Sequence, residues 1–127
     1  MNELTCLILG LLLWVVHVLI QAGFSNAALG TLYLVGPRDE QRQTKNIYYG
    51  RSARALNNYV DNFVAFAAAD LGLIATHQAG GWGGTIWIVA RTVYIPLYLL
   101  GVPYLRSLAW GVSLVGLLMM IKQLAGY

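Results

Sequence analysis

Apolar residues run almost unbroken from Leu4 to Val35, with polar interruptions at His17, Gln21, Ser25, Asn26 and Thr31. About 20 such residues cross roughly 30 Å of hydrocarbon. The segment therefore predicts a helix over about 4–35 that spans a bilayer and projects beyond it. Gly36-Pro37 ends it, because proline lacks the N–H that continues a helical ladder. A polar loop, GPRDEQRQTKN, follows. A second helix is expected over 47–76, ended by the uncharged, glycine-rich stretch HQAGGWGG. A third, over 84–100, contains Arg91 and Pro96. Gly101-Val102-Pro103 makes a tight connection to a fourth, over 104–125. The pattern predicts an all-α integral membrane protein. One domain over 1–127 would hold four transmembrane helices per protomer in a left-handed bundle.

Composition agrees. Hydrophobic residues make up 58% of the chain and charged residues 10%, against about 25% charged in soluble domains. That is too little charge to cover a globular surface in water. The net charge of +3 comes without a basic run or aromatic-basic interleaving, so nucleic acid is excluded as a partner. The single cysteine, Cys6, allows no internal disulfide, and no Cys/His cluster has metal-ligand spacing. Cys6 reads as a small apolar residue of the first helix. Residues Met1 to Leu4 carry Glu3 and no lysine or arginine, so they do not read as the basic start of a signal peptide.

Charge also orients the spans. The first loop carries Arg38, Arg42 and Lys45, with Arg51 and Arg54 just behind it, and Arg106 flanks the third loop. The middle loop has neither lysine nor arginine. Positive charge favours the cytoplasmic side. The first and third loops are expected in the cytoplasm and both termini outside it.

The second helix hides a polar face. At about 100° per residue, Arg51, Arg54, Asn58, Asp61 and Asn62 fall on one side. The apolar stretch VAFAAADLGLIA follows directly. Charges at membrane depth are costly and mark wet cavities or bundle interiors. On the third helix Trp87, Arg91, Tyr94 and Tyr98 share a face, and Arg106 and Ser107 open the fourth. Arginine's planar fork matches carboxylates, Asn58 offers a donor and an acceptor, and Asp61 can receive an ammonium. Such a set fits a small zwitterionic ligand with several carboxylates, such as a peptide. The alternative is purely structural: Asp61 neutralises Arg51, Arg54 or an arginine elsewhere. Asp70 points away from the Asp61 face and reads as a helix-helix contact, and His17 as a packing histidine.

The pattern RxxRAxxNxxDN over Arg51 to Asn62 resembles the second-helix signature of the MAPEG family, the membrane-associated proteins of eicosanoid and glutathione metabolism. RTVYIPLYLLGVPYLRSLAWGVSLVG looks like the family's third and fourth helices, and GPRDE is similar to its bacterial members. The resemblance implies a homotrimer in a bacterial inner membrane, with glutathione bound between protomers near the cytoplasmic side. By that resemblance Arg51, Arg54, Asn58 and Asp61 match ligand contacts on helix two, and Tyr94 and Tyr98 match those on helix three. Arg106 and Ser107 match the pair proposed to stabilise the thiolate. The implied activity is that of a glutathione transferase or peroxidase on lipophilic electrophiles. Three departures stand out: Asp61 replaces the family's glutamate, Asn62 stands where some eicosanoid enzymes have tyrosine, and Tyr33 falls where those enzymes carry arginine. The competing expectation is a non-catalytic membrane module that binds a lipid head group or uses the polar face for trimer assembly. A transporter is disfavoured, since the chain shows no internal repeats.

Overall fold

The computed structural model of the chain describes residues 1–37 and 44–127. The loop charges Arg38 and Arg42 lie outside the described residues. The rest is helical: α1 Glu3–Leu29, α2 Thr31–Val35, α3 Ile47–Ala75, α4 Gly83–Leu99 and α5 Pro103–Leu124. Short polar side chains start two of these. Asn2 accepts the Thr5 N–H at 2.8 Å, and Asn46 accepts the N–H groups of Tyr48 and Tyr49 at 3.0 and 3.1 Å. Each supplies an acceptor for donors that the first turn leaves free. Pro103 stands in the first turn of α5, where its missing N–H is no loss.

The first apolar segment is not one helix. Gly30 adopts φ 90°, a value that L side chains avoid and that no helix contains. It divides the run into α1 and the single turn α2, and the side chains of Asn26 and Thr31 are hydrogen-bonded across the break. Gly101, at φ 72°, separates α4 from α5 in the same way.

Successive long helices run antiparallel. Gly10 of α1 meets Phe63 and Phe66 of α3, and the Tyr59 hydroxyl donates to the Gly10 carbonyl. Gly83 of α4 meets Gly116 of α5 backbone to backbone: a Cβ on Gly83 would lie 2.6 Å from the Gly116 oxygen. Small residues at such crossings let two helices pack closely where lipid gives no hydrophobic drive. Between these contacts sits a core of Cys6, Tyr59, Phe66, Leu73, Trp87 and Met120. Phe66 and Trp87 stack with centroids 4.0 Å apart.

Outside the core the surface is apolar. Leu4, Ile8, Leu11, Leu12, Val15 and Leu19 of α1 are exposed, as are Leu105, Leu108, Val112, Val115 and Leu118 of α5. These two helices are long and apolar enough to cross a bilayer. Such a surface needs lipid around it.

Candidate functional site

Three helices bring four of the expected residues to one cavity. Asn58 of α3, Tyr94 of α4, and Arg106 and Ser107 of α5 line a cavity of about 120 Å³, and Trp110 completes its wall. Tyr98 supports it from one side. Its ring lies 5.5 Å from that of Tyr94 and 4.9 Å from the Arg106 guanidinium carbon. The Ser107 hydroxyl donates to the Pro103 carbonyl at 3.1 Å, one turn back in its own helix. Arg106 is therefore the cation of the cavity, and Ser107 presents oxygen lone pairs there.

The other polar residues of α3 diverge. Arg51 donates from Nη1 to the Leu99 carbonyl at 3.0 Å, so it caps the last turn of α4, where carbonyls lack partners. Arg54 is exposed and folds back over Gly50; a Cβ there would lie 3.0 Å from its Nη1. Asp61 is also exposed. No salt bridge joins Asp61 to Arg51 or Arg54. Asn62 donates to the Asn58 backbone carbonyl at 2.7 Å. The arc shared by these residues on a helical wheel thus covers three directions: toward α4, into the bundle and outward.

Behind Asn58 lies Arg91, wholly buried. Its Nη1 donates to Asn58 Oδ1 at 2.9 Å. Its guanidinium carbon stands 4.3 Å from the Tyr94 ring centroid and 5.4 Å from that of Tyr59. Aromatic faces attract such a cation, more strongly when water is excluded. Nε and Nη2 of Arg91 have no hydrogen-bond partner among the described residues. The chain thus holds one arginine behind the cavity and another, Arg106, on its wall.

Two further expectations meet their surroundings here. His17 stacks on Tyr59 at 4.4 Å and bonds through Nδ1 to the Leu13 carbonyl at 2.8 Å, which makes it a packing residue between α1 and α3. Asp70 does not meet Arg91. It lies far along α3, wholly buried beside Gly84 and Cys6, and neither carboxylate oxygen has a hydrogen-bond partner among the described residues. Among the described residues no group of three or more His, Cys, Asp or Glu side chains is placed to hold a metal.

Arg91 as the partner of Asn58 and Trp110 as a wall of the cavity were not singled out in advance. Trp110 was findable, because it follows Arg106 by four residues and so shares its face of α5. The Arg91 contact depends on how α3 and α4 rotate about their axes, which spacing alone does not give.

The MAPEG family model matches residues 4–126, nearly the whole chain. No curated protein and no solved structure matches it.

Proposed function

The chain belongs to the MAPEG family, and on that premise we propose that it binds glutathione between protomers of a homotrimer and uses it on lipophilic electrophiles. The observation that carries this reading is the convergence of Asn58, Tyr94, Arg106 and Ser107 from three helices on one cavity. At about 120 Å³ the cavity falls below the roughly 300 Å³ at which ligand pockets begin. A neighbouring protomer would complete it. Arg54 and Asp61, exposed and unpaired on α3, are the residues such a neighbour would meet, since unpaired charges do not face lipid.

The donors suit the ligand. Arg106, Tyr94 and Asn58 can hold carboxylates and a thiolate, and Asp61 an ammonium. Glutathione, when bound, supplies the thiol nucleophile. Arg106, in the second turn of α5, favours the thiolate through its charge and the positive end of the helix dipole. Tyr94 and Asn58 hold and orient, and the surrounding apolar helices deliver the electrophile from the bilayer. The product would be a thioether, with the electrophile's leaving group released or its double bond saturated. Where the electrophile is a lipid hydroperoxide, the products would be an alcohol and water as two glutathione thiols are oxidised to the disulfide. The four long helices would span a bacterial inner membrane with both termini outside the cytoplasm, and Lys45, Arg51 and Arg106 would mark the cytoplasmic end.

Isothermal titration of the purified protein with glutathione tests this. Binding in the millimolar range or tighter, with a thiolate absorbance band, is expected. No heat at millimolar glutathione and no such band would sink the reading. Exposure of Arg54 and Asp61 also favours a second one, in which the polar face serves trimer assembly only. That reading predicts an intact trimer with no glutathione heat.

A further inference from the structure

We propose that Arg91 locks the side-chain amide of Asn58, so that Asn58 meets the occupant of its cavity only as a hydrogen-bond donor and the cavity selects anionic groups. The identity of the ligand rests on the glutathione reading above; the lock does not.

An asparagine amide can in principle turn either end toward a ligand. Here one end is taken. Asn58 Oδ1 accepts from Arg91 Nη1 at 2.9 Å and faces Asn62 Nδ2 at 3.4 Å. A guanidinium has five donors and no acceptor. Rotating the amide by half a turn would set its NH2 against Arg91, donor to donor, in a buried place. It would also lose a charge-assisted bond, about twice as strong as a neutral one. Asn58 Nδ2 makes no hydrogen bond among the described residues, and Asn58 lines the cavity. The NH2 group is therefore what the cavity receives.

Charge points the same way. Arg91 is wholly buried, and among the described residues its Nε and Nη2 lack partners and its positive charge is met by aromatic rings and an amide oxygen rather than by a carboxylate. Arg106 adds a second cation on the wall. An anion entering beside Asn58 would meet two guanidinium charges at once in a medium of low dielectric, where Coulombic attraction is several times stronger than in water. A neutral acceptor of the same shape would gain only the hydrogen bonds. The class of occupant is thus a carboxylate, a thiolate or an oxyanion.

The test is thermal unfolding of the purified protein in detergent, with sulfate, with dimethyl sulfone as a neutral molecule of similar shape, and with glutathione. In the native protein sulfate protects and dimethyl sulfone does not. N58D places a carboxylate opposite Arg91 and removes the donor. Without ligand it should melt above the native protein, and its affinity for sulfate and for glutathione should fall about tenfold or more. R91Q should lose the discrimination between sulfate and dimethyl sulfone, and R91K, which keeps a charged donor, should restore most of it. Equal protection of the native protein by sulfate and dimethyl sulfone overturns the proposal, as does an N58D protein that binds both anions like the native one. The native-protein comparison stands even where a variant does not fold. If sulfate protects through Asn58 and glutathione does not bind, the lock stands and the glutathione reading fails. If glutathione binds the native and N58D proteins alike, the lock fails and that reading stands.

Discussion

Glu3 and Gly80, 77 residues apart, are joined by two hydrogen bonds: the Gly80 N–H reaches Oε1 at 2.8 Å and Oε2 at 3.0 Å. The Gly81 N–H adds a third contact at 3.3 Å. Glu3 is buried, in the first turn of α1, and the two glycines belong to the link between α3 and α4. Glu3 thus ties the start of the first helix to the connection that positions α4. Hydrogen bonds to a charged group contribute about 1.5–3 kcal/mol each when a partner is stranded. Replacing Glu3 by Ala should cost about 2 kcal/mol or more of unfolding free energy. A melting curve in detergent that leaves E3A at the native temperature would refute the link.

Gly116 should tolerate no side chain. Its Cβ would lie 2.7 Å from the Gly83 oxygen and 2.9 Å from the Trp87 nitrogen, both backbone atoms of α4. G116A must push α4 and α5 apart, and overpacking of this kind costs about 1–3 kcal/mol. Gly111, in the same helix, has nothing within 4 Å of such a Cβ. G111A should be neutral or better, because alanine favours the helix by about 1 kcal/mol. Comparing the two melting temperatures checks both statements, and equal losses would contradict them.

Asp70 should be dispensable for stability. A wholly buried carboxylate with two unpartnered oxygens costs free energy, and a neutral amide of the same shape costs less. D70N should therefore unfold at a higher temperature than the native protein, by a margin equivalent to about 1–3 kcal/mol. A large loss in D70N would reveal a partner that needs the charge.

Arg54 and Asp61 should act independently within a protomer. Both are exposed and no salt bridge joins them. A double-mutant cycle, R54A, D61A and the pair, should give a coupling below about 0.5 kcal/mol in monomer unfolding. Coupling well above that value would restore the ion pair as the purpose of this polar face.

Much of the fold was legible in the order of residues because its signals are local. Apolar runs and the breaks at Gly36-Pro37, HQAGGWGG and Gly101-Val102-Pro103 show where the long helices lie. The division at Gly30 was not legible, since an isolated glycine in an apolar helix is commonly tolerated there. For the site, the 100° rule put Asn58 and Tyr94 on polar faces and the turn before α5 put Arg106 and Ser107 at its start, and these four line one cavity. Those signals could not sort the polar residues of α3 among three directions. That depends on how α3 is rotated about its axis, set by how Tyr59, Phe63 and Phe66 pack against Gly10 and Trp87. For the same reason Arg51 at Leu99 and Arg91 at Asn58 come from tertiary packing alone.

Trp110 has a practical consequence as a wall of the cavity. The chain has four tryptophans. Trp87 is sealed in the core at 1% exposure, and Trp14 and Trp82 are exposed and line no part of the cavity. Of the four, only the Trp110 indole touches the space that a ligand would enter. The protein therefore carries its own optical gauge. Its emission should shift or quench as the cavity fills, and the change should vanish in W110F, so that occupancy can be read without a label and in the native bilayer.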